Sequence, residues 1–174
     1  MRTVLIIGVG RSASSLIQYL LNKSVEEDLH LIIGDLLLES AQKKTNNHPN
    51  ATAISLDIFD QNQRKEAIQK ADIVISMLPA HLHIEVARDC IVYKKNMVTA
   101  SYISDAMQGL DVLAKENNLI FMNEIGLDPG IDHMSAMKVI NEIKDKGGKM
   151  ILFESFCGGL VAPESDNNLW NYKF

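Results

Sequence analysis

Gly8-Val9-Gly10-Arg11-Ser12-Ala13 stands directly behind the apolar run 4–7 and directly ahead of an amphipathic stretch, and no other feature restricts the fold as tightly. A short, continuous apolar run ending on glycine reads as a strand buried on both faces. The G-x-G-x-x-A pattern gains its meaning from that context, a strand before it and a helix after it. There, Gly8 permits a tight turn, Gly10 lets the backbone approach a pyrophosphate, and Ala13 lets the helix lie close to the sheet. Val9, Arg11 and Ser12 complete the turn, and the helix N-terminus offers the phosphates free N–H groups and its positive dipole end. The alternative reading is a strand–helix turn that merely needs glycine, and it is the weaker one in this context.

The strand pattern recurs at residues 29–33, 53–56, 73–77, 97–100 and 119–122. Helical stretches are predicted between these strands, at 11–21, 39–44, 61–70, 82–93 and 104–116. Leu16, Ile17, Leu20 and Leu21 fall at helical spacing, as do Ile84, Ala87 and Ile91. Crossovers of about a dozen residues imply parallel pairing, and hence a doubly wound α/β sheet. Pro129-Gly130 marks the candidate boundary between a dinucleotide-binding domain, 1–130, and the opening of a second α/β domain, 131–174. That opening is expected to hold a helix at 132–146, ended by Gly147-Gly148, and a strand at 149–156. The sheet partners of that strand are not visible in the sequence, so the second domain is expected to be truncated.

A chain of 174 residues suffices for one packed domain and a part of another. A formal net charge of −5 with no Lys/Arg cluster argues against nucleic-acid and anionic-membrane partners. No run approaches the roughly 18 apolar residues of a membrane span, and no secretory pattern follows Arg2. The two cysteines, Cys90 and Cys157, make neither a disulfide framework nor a metal-site spacing. His81 and His83 are two apart and do not share a helix face, so no metal site is expected. These features together suggest a cytoplasmic protein.

Asp35, at the end of the second strand, can accept both ribose hydroxyls of NAD and would repel the additional phosphate of NADP. No arginine lies between Asp35 and Asn50, although Lys43 and Lys44 follow. The expectation is therefore NAD, with NADP second; a helix-capping role for Asp35 is compatible with it. Asp57, with Ile58 beside it, ends the third strand and could meet the adenine, while Leu78-Pro79 follows the fourth and would face the nucleotide crevice.

Three further segments carry a resemblance. Met97-Val98-Thr99-Ala100-Ser101-Tyr102-Ile103-Ser104, the stretch 123–133 (Asn-Glu-Ile-Gly-Leu-Asp-Pro-Gly-Ile-Asp-His), and Cys157-Gly158-Gly159-Leu160 with Tyr172-Lys173-Phe174 resemble the glutamate-forming saccharopine dehydrogenases. The resemblance covers essentially the whole chain. It implies a Rossmann domain joined to a substrate domain, a nicotinamide cofactor, and interconversion of saccharopine with glutamate and 2-aminoadipate 6-semialdehyde. It also implies cofactor contacts at Val9, Gly10, Arg11, Ser12, Asp35, Asp57, Leu78, Ala100, Ser101, Leu127, Asp128 and Pro129, and substrate contacts at Ser101, Tyr102 and Asp128. Some members carry arginine just after the second strand for NADP; here Leu36 stands in that place, which resembles the NAD-using branch. A homodimer is the candidate assembly of the full-length protein.

Oxidising a secondary amine needs the amine neutral, then water to split the resulting imine and a proton for the departing amine. The candidate groups are Asp128, orienting substrate or acting as acid/base, Tyr102, donating to a substrate carboxylate, and Cys157. Cys157 has an equally simple reading as a small buried residue before a glycine turn, and Asp128 as a helix N-cap. A carboxyspermidine-type dehydrogenase and a non-enzymatic NAD-binding Rossmann module are the alternative functions.

Overall fold

The computed structural model describes residues 1–156. Its elements are β1 (Arg2–Ile7), α1 (Ala13–Lys23), β2 (Leu29–Asp35), α2 (Leu38–Thr45), β3 (Ala51–Ser55), α3 (Gln61–Gln69), β4 (Ile73–Ser76), α4 (His83–Val92), β5 (Asn96–Thr99), α5 (Asp105–Gln108), α6 (Asp111–Glu116), β6 (Phe121–Met122) and α7 (Ile131–Asp145). A one-turn 3-10 segment, Ala80–Leu82, precedes α4. The strands form one parallel six-stranded sheet in the order β3-β2-β1-β4-β5-β6. The chain moves outward from β1 to β3, then returns to the other side of β1 with β4. That reversal opens a crevice at the carboxyl ends of β1 and β4, where ligands bind in doubly wound sheets.

Side-chain alternation along β1 explains why the central strand is apolar throughout. Leu5 and Ile7 join one buried cluster with Val74, Val86, Cys90 and Met97. Val4 and Ile6 face the other way, into a cluster with Ile17, Leu31 and Ile33. Each fully buried side chain of this size contributes about 1.5–3 kcal/mol from removal of apolar area from water. The helices therefore cover both faces, and a strand between them has no side free for polar residues. Burial pushes the Cys90 thiol up to about 12, so this cysteine is inert core.

One ion pair is buried within the core rim. Arg64 on α3 donates from Nε to Asp89 Oδ2 on α4 at 2.8 Å and also donates to the Ile58 carbonyl. Arg64 is 7% exposed and Asp89 9%. It fastens the two helices that cover the β4 side of the sheet.

Two expected elements differ. The helix predicted at 104–116 is broken into α5 and α6 at Gly109-Leu110. Ser104 Oγ accepts from the Met107 amide to start α5, and the Leu110 amide bonds the Met107 carbonyl rather than continuing an α-helical ladder. Glycine in a helix interior costs about 0.5–1 kcal/mol relative to alanine, which makes this the weakest point in the stretch. The strand expected at 149–156 is absent; that segment is assigned to no helix or strand. Extended backbone needs a neighbouring strand to take up its N–H and C=O groups, and none stands beside this segment among the described residues.

The chain divides into two compact units, Met1–Ile131 and Asp132–Phe174. The first holds the whole sheet. The second, over its described part, consists of α7 and the segment that follows it. Among the described residues no helix is long and apolar enough to cross a membrane.

Candidate functional site

The glycine-rich turn is built as its spacing demands. Gly8 has φ +93°, and a Cβ there would sit 2.9 Å from the Met77 carbonyl oxygen. Gly10 is the opposite case, since a Cβ on it would meet nothing within 4 Å. Gly8 is thus required by the protein itself, whereas Gly10 leaves clear space above the turn. The amides of Gly10, Arg11 and Ser12 meet no acceptor among the described residues. Helix α1 has no acidic residue in its first turn, and the Ser12 hydroxyl makes no capping bond. Free amides at an eleven-residue helix's positive end, with no carboxylate to compete, suit a bound pyrophosphate. Ala13, with no exposed surface, sets that helix against the sheet.

Two cavities flank the turn. One, of about 320 Å3, is lined by Gly8, Asp35, Leu36, Asp57, Ile58, Phe59, Leu78 and Leu82. It gathers the residues expected at the adenosine end. The other, of about 370 Å3, is lined by Ser12, Leu16, Ile75, Met77, Val98, Ala100, Gly126 and Leu127. It lies over the β4 and β5 ends, where the reacting end of a dinucleotide bound across this sheet would lie. Its lining is predominantly apolar, as a dehydrated ring requires. A third cavity of about 370 Å3, between β3 and α3, includes His30, Thr52, Gln63 and Lys70 and none of the expected site residues.

Asp35 does something the sequence did not reveal. Its Oδ2 accepts from the Val9 amide at 3.0 Å and its Oδ1 from the Leu37 amide at 3.1 Å. The carboxylate therefore ties the end of β2 to the glycine-rich turn.

The stretches 99–103 and 123–130 come together although they are separate in sequence. The Glu124 amide donates to the Ser101 carbonyl at 3.1 Å, and Ile125 donates to Thr99 at 3.3 Å. Glu124 Oε1 in turn accepts from the Ile103 amide at 3.0 Å. A Cβ on Gly126 would stand 3.1 Å from the Ala100 methyl, so the two loops are in close contact. This brings the Tyr102 hydroxyl to 2.6 Å from Asp128 Oδ1, to which it donates. Both side chains are exposed. The phenol proton expected to serve a substrate carboxylate is here directed to Asp128. Pro129 is buried, its peptide with Asp128 is cis, and its carbonyl accepts from Gly126 at 2.8 Å. Cys157 lies outside the described residues.

One group was missed. His83 is 2% exposed, and its ring nitrogens meet Ser76 Oγ and Ser101 Oγ, each at 2.8 Å. Burial, and secondarily the charge of His81, lower its basicity, so the ring is held neutral. The sequence tested His81 and His83 only as a metal pair on one helix, whereas His81 is exposed and precedes α4. A histidine at the first position of a helix that follows a strand ending in serine was the available signal.

The sheet order, the glycine-rich turn and the paired cavities define a Rossmann domain of the dinucleotide-binding class. Residues 4–122 match the saccharopine dehydrogenase NADP binding domain, and residues 126–174 match the saccharopine dehydrogenase C-terminal domain. The chain belongs to the saccharopine dehydrogenase family. It is 41% identical over 173 residues to the NADP(+), L-glutamate-forming saccharopine dehydrogenase of Pyricularia oryzae, covering 99% of this chain and 38% of that protein. It is 42% identical over 147 residues to the alpha-aminoadipic semialdehyde synthase of Arabidopsis thaliana, covering 84% of this chain and 14% of that protein. The apo structure of the L-Glu-forming saccharopine dehydrogenase of Saccharomyces cerevisiae superposes with a TM-score of 0.87 at 38% identity, over 100% of this chain and 38% of that one. The chain thus spans about two-fifths of the length of the glutamate-forming relatives, with 38% of the Pyricularia protein covered.

These matches overturn the expected preference for NAD. The family domain is described as NADP binding, and the Pyricularia and Saccharomyces relatives are named as NADP(+) enzymes, so NADP is favoured. The Asp35 carboxylate already has a role in the fold, accepting from two backbone amides. Its presence at the strand end is accounted for by the turn it ties and is not by itself a sign of NAD.

Proposed function

We propose that this chain supplies the cofactor half of an NADP-dependent oxidoreductase that interconverts saccharopine with L-glutamate and 2-aminoadipate 6-semialdehyde. Residues 131–174 would open the substrate domain. Family membership supports the reaction class, and the observation that carries the site is the 2.6 Å contact between Tyr102 and Asp128 beside the loop that lines the apolar cavity.

A bound nicotinamide would supply the hydride acceptor for the carbon bonded to the secondary amine. The protein's part is to bind, orient and move protons. The free amides of the turn hold the pyrophosphate, and Gly10 lets it approach. Ser12, Ala100 and Leu127 fit around the reacting end, while Asp57, Ile58 and Leu78 fit around the adenosine. Asp128 takes the proton from the substrate amine and, after water has split the imine, supports proton return to the departing amino group. Tyr102 holds Asp128 Oδ1, which leaves Oδ2 to face the amine. Ser101 contacts the substrate at the end of β5.

The test is NADPH formation by the full-length protein given saccharopine and NADP, with NAD in a parallel assay. Turnover with NADP well above NAD supports the reading. NADPH binding without turnover of saccharopine would sink the substrate assignment and leave another amine-condensing dehydrogenase or a non-enzymatic dinucleotide-binding module.

A further inference from the structure

His83 is the first residue of α4, and its ring enters the protein between the carboxyl ends of two strands. Ser76 and Thr99 are register partners in β4 and β5, so their side chains leave the sheet on the same face, the one α4 covers. The imidazole sits on both of them. Nδ1 is 2.8 Å from Ser76 Oγ, and Nε2 is 3.1 Å from Thr99 Oγ1 and 2.8 Å from Ser101 Oγ. Both ring nitrogens are therefore satisfied inside the protein. Holding such a polar group at 2% exposure costs desolvation that a leucine in its place would not incur.

The destination of this network is informative. Ser101 is half-buried and stands just beyond the end of β5, where ligands of a doubly wound sheet are held. Its carbonyl anchors Glu124, and the next residue, Tyr102, reaches Asp128.

We propose that His83 is a positioning residue, which fixes the Ser101 hydroxyl in one orientation toward the substrate through a Ser76–His83–Ser101 relay. This rests on the substrate contact assigned to Ser101 in the proposed function. A neutral imidazole donates from one nitrogen and accepts at the other. With the proton on Nε2, the ring donates to Ser101 Oγ and leaves the serine proton to be donated outward. With the proton on Nδ1, the Ser101 hydroxyl donates its hydrogen bond to Nε2 and presents only lone pairs to the substrate. Ser76 takes the complementary role in each case, so the relay sets whether Ser101 donates to the substrate or accepts from it.

The experiment uses the full-length protein and four variants: H83L, H83Q, S101A and H83L/S101A. H83L and S101A are each expected to lower kcat/KM for saccharopine about tenfold, the size of one positioned hydrogen bond, while in H83L the NADPH dissociation constant stays within about twofold. The double variant should be no worse than S101A, because both changes remove one and the same interaction. H83Q should recover most of the loss, since its amide reaches the place of Nε2. A loss from H83L that adds to that of S101A overturns the proposal, as does a folded H83L enzyme with unchanged kcat/KM. If the wild-type protein turns over no saccharopine, the functional reading fails independently of the relay. The relay is then read from the His83 ring-nitrogen chemical shifts in wild type and S101A: a shift confined to Nε2 supports it, and unchanged nitrogens overturn it.

Discussion

The Asp35 carboxylate bridges the Val9 amide at 3.0 Å and the Leu37 amide at 3.1 Å, joining two segments 26 positions apart. D35A should leave both donors without their acceptor and destabilise the domain by about 1–3 kcal/mol, read as a lower urea midpoint. Because the acid acts through the turn, D35A should weaken NADPH and NADH binding by similar factors. A large gain in NADH selectivity or in NADPH selectivity alone would contradict that role.

Gly8 and Gly10 should separate stability from binding. G8A forces a side chain to φ +93° against the Met77 carbonyl and should cost about 1–3 kcal/mol of unfolding free energy. G10A meets no protein atom, so thermal unfolding should remain near wild type while NADPH affinity falls at least tenfold, because the methyl occupies the approach of the pyrophosphate. Calorimetry and NADPH fluorescence titration on the two variants test the contrast.

The Arg64–Asp89 pair should be costly to halve and cheap to replace. D89A leaves the guanidinium, 7% exposed, with the Ile58 carbonyl and only the longer 3.9 Å pair to Glu85, and should lose about 2–3 kcal/mol, below the full cost of an unpaired buried charge. Replacing both partners with apolar residues of similar volume, R64M/D89L, should restore most of that loss. A double variant as unstable as D89A would refute the expectation.

Stability should depend on the protonation of His83. Burial lowers its pKa below the ordinary imidazole value of about 6.5, so the unfolded chain binds a proton that the folded one resists. This group's full contribution is present above the unfolded pKa and is lost as pH falls from about 6.5 toward the lower folded value. Urea midpoints across that window should decline for wild type, and the decline should be shallower in H83Q.

Tyr102 should matter for turnover rather than for cofactor binding. Y102F removes the donor to Asp128 Oδ1, and kcat/KM for saccharopine in the full-length protein should fall about tenfold, consistent with one bond to a charged acceptor. The NADPH dissociation constant should not move. Equal weakening of both would place Tyr102 in the cofactor site instead.

The alternation of buried runs and amphipathic stretches, the glycine spacing and the family motifs all lie in local sequence. They determined the parallel sheet, the position of the glycine-rich turn, and the membership of the chain in its family. Apolar periodicity is a property of neighbouring residues, and Gly8 is demanded by a single backbone angle. The break at Gly109-Leu110 and the missing strand at 149–156 depended on capping bonds and strand partners, which a run of residues does not specify. Likewise, Asp35 was legible as a carboxylate at a strand end, but that it ties β2 to the glycine-rich turn depended on where the Val9 and Leu37 amides came to rest. The pairing of Tyr102 with Asp128 and the burial of His83 between Ser76, Thr99 and Ser101 were decided only by tertiary structure. Parallel crossovers carry residues far apart in the chain to the same ends of adjacent strands, and hydrogen bonds there depend on register and distance in space.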